Sequence, residues 1–340
     1  MTPELALIIK EINKKHGDHT VLMAGDITHT PPKFTSGSLG LDLILGGGWP
    51  GSTWSEMVGE PSHGKTAVAL KTIAANQALN PDFTAVWVAA EDFVPEYAQM
   101  CGVDLDRLVL VETNIMEEAF DAVLKFANSR TVDGIVIDSL PALVPSPEDE
   151  KDMDQMTVGR GALLTNKFFR KTGATMKRSL VENDRPVFGL VINQFRMKIG
   201  VMHGDPRTTP GGQGKDYSYF TRVEVKRDAW IEVGTGNDKT KVGQSIRLRT
   251  IKNKTAPPQQ TAYLDFYFRD GGGDGVAGEY DFGRELVSLA HHFGILDRAG
   301  AWFSYNGQKW QGADAVADAV REDMDLRDAL DKEVRAVLKR

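Results

Sequence analysis

The feature that most constrains this chain is the run Gly59-Glu60-Pro61-Ser62-His63-Gly64-Lys65-Thr66, set between a strand-like segment, Trp54–Val58, and a helical stretch at 65–79. It fits G-x-x-x-x-G-K-[ST] in the context that gives the motif its meaning, a strand before and a helix after. Glycines let the backbone close on a phosphate with its amides turned inward, and a helix N-terminus adds a favourable dipole. Lys65 is then the group that reaches the terminal phosphates and Thr66 the ligand of a Mg²⁺ ion. The cradle extends from Gly59 to Ala67 at the helix start; His63 fills a free position of the motif and is assigned no chemistry of its own.

Such a loop works at the carboxyl edge of a parallel sheet, and the rest of the sequence supplies one. Strand-like runs at Trp54–Val58, Ala85–Ala89, Leu108–Val111, Gly134–Asp138 and Val187–Asn193 alternate at first with helical stretches at 65–79, 94–101 and 116–129. That alternation predicts an α/β fold with a mostly parallel sheet covered on both faces. A helix precedes it, with Thr2 as N-cap, Pro3 at the first position, an apolar face of Leu5, Ile8, Ile9 and Ile12, and Gly17 at its end. Past residue 270 the pattern changes to a loop, Asp270–Gly278, an apolar stretch, Gly283–Phe293, and a charged helical end, Ala313–Arg340. The expected organisation is an N-terminal helical segment over 1–33, a core over 34–269 and a small α+β domain over 270–340.

With 340 residues, 41% of them hydrophobic, the chain can bury one substantial core and a smaller unit. No apolar run approaches the roughly 18 residues of a membrane span, and the opening lacks a basic head and cleavage site, so a cytoplasmic protein without membrane partners is expected. The single cysteine, Cys101, can form no internal disulfide and reads as a small buried side chain. A net charge of −7 argues against a surface that coats nucleic acid everywhere, yet between Arg222 and Lys254 nine basic residues face four acidic ones. Alone, that run fits a solvated strand face better than a DNA site.

Two carboxylates stand at predicted strand ends. Asp138 closes Gly134–Asp138 and is the expected anchor for Mg²⁺; Glu91 follows Ala85–Ala89 and is the candidate for orienting or deprotonating the attacking water. A plain helix-start carboxylate at Glu91-Asp92 remains the alternative reading. A third strand ends at Asn193-Gln194 and runs into a long glycine-rich segment through Gly212. Loops of that length inside a compact domain are usually functional or disordered, and Gln194 stands where a side chain could feel the γ-phosphate and pass its state to the loop.

Taken together and in order, GEPSHGKT (59–66), the strand ending in Glu91, VIDS (136–139), INQFRMKIGVM (192–202), TTPGG (208–212), IKNK (251–254) and RAGAWFSYNG (298–307) resemble the bacterial RecA recombinase family. The likeness spans nearly the whole chain, and INQFRMKIGVM followed by IKNK is far more specific than the phosphate loop. It implies a RecA-type P-loop NTPase core with an N-terminal helix that docks on the next protomer, ATP and Mg²⁺ as cofactors, and a helical filament. On single-stranded DNA that filament would carry out homologous pairing and strand exchange with DNA-stimulated ATP hydrolysis, using duplex DNA at a second site.

The resemblance also assigns residues. Glu91 matches the catalytic glutamate and Gln194 the γ-phosphate sensor; Tyr97 packs on the adenine; Lys252 and Lys254 reach a neighbour's phosphates. A first DNA loop falls around Asp152–Gly161 and a second at Phe195–Thr209, with Arg196, Met197, Lys198, Ile199, Gly200, Gly211 and Gly212 matching the family pattern. Arg170 and Lys171 resemble backbone contacts, and Lys226, Arg227, Arg247 and Arg249 a weaker duplex site. Single-strand-binding proteins, loaders and a self-cleaving repressor are partner classes the likeness brings with it.

Departures from the pattern suit a bacteriophage-encoded or otherwise divergent member, working in a bacterial cytoplasm or, if phage-encoded, in that of the host. Val94 stands near the place of an acidic base contact, His203 replaces an aromatic, and Asp216-Tyr217 replace a Lys-Phe pair used between subunits. The first loop is acidic (Glu148, Asp149, Glu150, Asp152, Asp154), and Leu338-Lys339-Arg340 stand where many members begin an acidic tail that restrains duplex binding. Two other readings share the core: a ring-forming motor of the helicase or RadA kind, and a filament scaffold that barely turns ATP over.

Overall fold

Strands β3 (Thr53–Val58), β4 (Ala85–Ala89), β6 (Gly134–Asp138) and β7 (Phe188–Asn193) are almost wholly buried along their length. Strands buried on both faces need helices above and below. In the computed structural model, which describes residues 1–17, 20–26, 32–146, 159–178, 185–197, 206–271 and 275–338, those helices are present. On one face α3 (Lys65–Leu79) packs with Leu41, Met57, Val68, Ile73 and Trp87. On the other, α5 (Met116–Ser129) and α6 (Arg160–Arg178) enclose Trp54, Val86, Phe120, Phe168 and Phe169.

The main sheet has eight strands. With β5 (Leu108–Glu112), β10 (Tyr219–Val233), β11 (Thr240–Asn253) and β12 (Thr261–Tyr267), the order is β12-β11-β10-β3-β7-β6-β4-β5. From β10 to β5 all neighbours are parallel; β11 and β12 add antiparallel. The basic run of the sequence is thus the long β10–β11 hairpin, whose register shifts at Arg222/Val223, Arg227/Ala229 and Ile231/Glu232. Bulges of this kind increase local twist and re-aim side chains.

Helix α1 (Pro3–His16) begins as its sequence requires, the Thr2 hydroxyl accepting from Leu5 N at 3.3 Å. None of its residues is buried, and Leu5 and Ile8 are exposed. A separate apolar cluster of Leu286, Ala290, Phe303, Val316, Val320, Leu330 and Val334 unites the C-terminal helices and a three-stranded antiparallel sheet, and takes in Leu39 of α2 (Leu39–Leu45). The stretch Ala313–Arg340, expected as one helical end, is two helices, Ala313–Glu322 and Met324–Leu338. The Asp323 carboxylate explains the break: it accepts from Asp325 N (3.0 Å) and Leu326 N (3.1 Å) and so starts a second helix.

The C-terminal unit is fixed to α2 by one buried carboxylate. Glu285 accepts from the Ser38 hydroxyl, Leu39 N (3.1 Å) and Gly40 N (3.0 Å), capping the first turn of α2 from across the chain. Burial pushes its pKa up to about 7, against the pull of those three donors.

Candidate nucleotide site and nucleic-acid interface

The phosphate loop leaves β3 at Val58 and lies against β10 and β11. A Cβ on Gly59 would come within 2.1 Å of Val225 O, and one on Gly64 within 2.4 Å of the Ile246 Cδ1, where φ is also +92°. Both positions therefore require glycine. Lys65 Nζ donates to the carbonyls of Gly59 (3.2 Å) and Glu60 (2.7 Å), folded back over the loop it follows, and burial lowers its pKa. Thr66 Oγ1 donates to Asp138 Oδ2 at 3.0 Å. Asp138 is buried, and that burial lifts its carboxyl to about 6, with the charge of Glu91 adding to the shift and Thr66 and Lys65 opposing it.

Glu91 reaches the same spot because β4 and β6 are neighbours in register, Ala89 opposite Asp138. Ala90 N and Glu91 N both donate to Asp138 O, at 3.0 and 3.2 Å, and the Ser139 hydroxyl donates to the Glu91 carboxylate. Lys65, Thr66, Asp138 and Glu91 thus meet at the carboxyl ends of β3, β6 and β4, with β7 between the first two. Gln194 stands just past the end of β7, its amide N donating to Asn193 Oδ1 (2.9 Å) and its Oε1 accepting from Arg196 Nη1 (3.3 Å).

Beneath this edge lies a buried polar network that sequence reasoning missed. Glu56, fully buried on β3, accepts from Asn193 Nδ2 at 2.8 Å and from Arg222 Nε at 2.6 Å. Arg222 also approaches Asp216 Oδ2 at 3.5 Å, and Asp216 pairs with the buried Lys215, which donates to Thr209 Oγ1 at 2.6 Å. A buried charge persists only when paired and hydrogen-bonded, which is what this chain of contacts provides. The available signal was a glutamate two residues from the end of the strand that leads into the phosphate loop.

The remaining predicted contacts distribute unevenly. Tyr97, on α4 (Pro95–Met100), is half-buried against the α3 face, its hydroxyl beside the buried Cys101 thiol, and burial raises the pKa of both. Lys252 and Lys254 are not brought to the phosphate loop of their own chain. Lys252 lies opposite Arg222, itself level with Glu56, and donates to Asp216 O at 2.6 Å; Lys254 sits 5.4 Å over the Phe220 ring.

Arg170 and Lys171 are exposed on α6, and Arg196 and Met197 are exposed on β8 (Arg196–Met197), which pairs with β9 (Arg207–Thr208). Gly211 and Gly212 adopt φ of +94° and +76° close to Thr165 and Ala162 of α6. Lys198, Ile199, Gly200, His203 and the first loop before Gly159 lie outside the described residues.

The four hairpin cations do not form one patch. Lys226 pairs across the ladder with Arg247, and Glu224 with Arg249, so these share one face, whereas Arg227 pairs with Ile246 on the opposite face. There Arg227 donates to Ser62 O of the phosphate loop at 3.2 Å and stacks 4.0 Å from the Trp230 ring. Strand alternation separates neighbours that the sequence lists side by side.

Among the described residues no helix is long and apolar enough to cross a membrane. The family model of the RecA N-terminal domain matches residues 3–273 and that of the RecA C-terminal domain residues 284–339. Protein RecA of Lactococcus lactis subsp. cremoris (strain MG1363) is 35% identical, covering 98% of this chain and 83% of its own length. Protein RecA of Chlorobaculum tepidum is 38% identical over 98% of this chain and 92% of its own, and that of Streptococcus mutans serotype c 34% identical over 96% and 82%. The chain belongs to the RecA family.

Proposed function

We infer that this chain is an ATP-dependent DNA recombinase that polymerises on single-stranded DNA and hydrolyses ATP as it pairs and exchanges strands. The observation that carries the reading is the convergence of Lys65, the Thr66–Asp138 pair and Glu91 at one sheet edge. Gly59 and Gly64 form a cradle that any side chain would fill, which fits a closely held polyphosphate. Loop amides and Lys65 hold the phosphates, Thr66 and Asp138 hold the cation, and Glu91 orients the attacking water and takes its proton. Mg²⁺, when bound, offsets charge on the transferring phosphoryl group. Gln194 couples the γ-phosphate to the second loop through the strand end it shares with Asn193.

Arg170, Lys171, Arg196 and Met197 serve the single strand, and Lys226, Arg247 and Arg249 the duplex. The exposed apolar face of α1 supports docking on a neighbouring chain, and Lys252 and Lys254, whose contacts are with Asp216 and Phe220 and not with their own phosphate loop, serve a neighbour's nucleotide on this reading. On this reading 1–33, 34–269 and 270–340 are the polymerising, catalytic and C-terminal segments of a cytoplasmic protein. The test is ATP turnover with and without single-stranded DNA across a salt series, on wild type and Lys65→Ala. Stimulation that falls with salt, as counterion release requires, and vanishes in the variant is the expected result. Turnover indifferent to DNA sinks the recombinase reading.

A further inference from the structure

A cavity of about 330 Å³ lies between the phosphate loop and the hairpin. Its walls carry Glu60 of the loop, Arg207 of β9, and Glu224, Lys226, Arg247 and Arg249 of the hairpin. Four cations there face two carboxylates. Glu224, only 8% exposed, is shared: Arg207 Nη1 donates to Oε1, while Arg249 Nη2 lies 2.9 Å from Oε2 as an ion pair that leaves this buried oxygen without a hydrogen bond among the described residues. Arg207 is further held by the Phe195 ring, 4.6 Å from its guanidinium. Lys226 and Arg247 form no ion pair among the described residues, and Arg249 Nε and His63 Nδ1, both buried, have no hydrogen-bond partner among them.

We propose that this cavity binds one phosphate of a nucleic-acid backbone, and that Glu224 is the intramolecular carboxylate which that phosphate displaces. The inference rests on the reading that Lys226, Arg247 and Arg249 face DNA, and deepens it. A guanidinium fork fits carboxylate and phosphate alike. Glu224 meets Arg249 through Nη2 and leaves Arg249 Nε unused, whereas a phosphate offers oxygens to all four cations at once. No bond is made or broken; one anion replaces another.

The exchange has a structural consequence. Arg207 belongs to β9, whose pairing with β8 forms the foot of the second DNA loop, so its release from Glu224 is felt there. The opposite wall, at Glu60 and His63, is the phosphate loop itself. One anion site therefore touches the hairpin, the loop foot and the nucleotide cradle.

The experiment is equilibrium binding of a short labelled duplex across a salt series to full-length wild type, Glu224→Gln, Glu232→Gln and Arg247→Gln, with folding followed by circular dichroism. Glu232 lies on the same strand and gives the same change in net charge. Glu224→Gln is expected to bind about five- to tenfold tighter, as removal of a competing charge at close range should produce, and Glu232→Gln to match wild type. Arg247→Gln, with no ion pair to lose, should weaken binding and reduce the slope of log K against log salt by about 0.9.

A folded Glu224→Gln that binds no tighter than Glu232→Gln overturns the proposal. If Glu224→Gln does not fold, an unchanged slope in Arg247→Gln overturns it instead. Inorganic phosphate at fixed ionic strength should compete with the duplex on wild type more than on Arg247→Gln, since both anions use the one cavity; equal competition against the two would overturn the assignment. DNA-stimulated turnover of the same wild-type sample reports separately on the recombinase reading, so the two can fail independently.

Discussion

In the parallel half of the sheet, from β3 to β5, the groups that matter stand at strand ends; in the β10–β11 hairpin, charged groups are spread along the strands and alternate between faces. A strand end has one position in space, so Lys65, Asp138 and Glu91 converge however far apart they lie in sequence. A position within a strand is set by parity, and each bulge can reset it. The hairpin therefore turns a run of cations into two surfaces, one holding Lys226, Arg247 and Arg249, the other placing Arg227 against Ser62 of the phosphate loop.

The sharpest break between the regions should come from Lys65→Ala. Loss of a preorganised cation from the phosphates is expected to lower ATP turnover by about 100-fold or more while leaving the fold intact. Steady-state hydrolysis beside a thermal melt checks both parts. A variant that retains turnover would mean that the convergence at the sheet edge is not the catalytic site.

The seam between the two regions is Glu56 on β3 against Arg222 on β10. Glu56→Ala leaves Arg222 buried without its carboxylate, and is expected to cost about 3–5 kcal/mol in urea unfolding. A loss well below that would show that the β10–β3 ladder and apolar packing join the hairpin to the parallel half without help from this ion pair.

Legibility in the sequence follows the same division. The helices at 65–79 and 116–129 and the strands Ala85–Ala89 and Gly134–Asp138 have the predicted bounds, since the periodicity of apolar residues acts locally. The phosphate loop was legible because its spacing is itself the geometry. Which face Arg227 occupies was not: alternation fixes only that it differs from Lys226, and the register shift at Arg222/Val223, which leaves no local mark, stands between it and the start of the strand. The Glu56–Asn193–Arg222 contact joins three strands distant in sequence, and only the burial of a charge hinted at it. The C-terminal hairpin could have been read: Asn306-Gly307, φ 46° and 85°, is the two-residue turn such hairpins favour.

A pH series separates the sheet from the α2 anchor. The Glu285 carboxyl is raised from 4.5 to about 7 in the folded chain, so between those values the folded state holds a proton that the unfolded state has released. Stability from this group is greatest below the unfolded value and falls as pH rises towards 7, by about 3 kcal/mol in all. Glu285→Gln should flatten that slope in urea unfolding compared at about pH 5 and about pH 8. An unchanged slope would move the titration to another group.

The smallest expected effect tests the division of the hairpin most directly. Lys226 and Arg227 are adjacent in sequence, so if the run acted as a single patch, Lys226→Gln and Arg227→Gln would weaken duplex binding alike. On opposite faces they should differ. Lys226→Gln is expected to lower duplex affinity a fewfold and the salt slope by about 0.9, leaving the KM for ATP unchanged. Arg227→Gln loses its hydrogen bond to Ser62 O and should raise that KM a fewfold, the net worth of one charged hydrogen bond of about 1 kcal/mol, with the salt slope preserved. Equal slopes and equal KM values in the two variants would mean that the hairpin presents its cations to DNA as one surface, and that the face assignment has no functional weight.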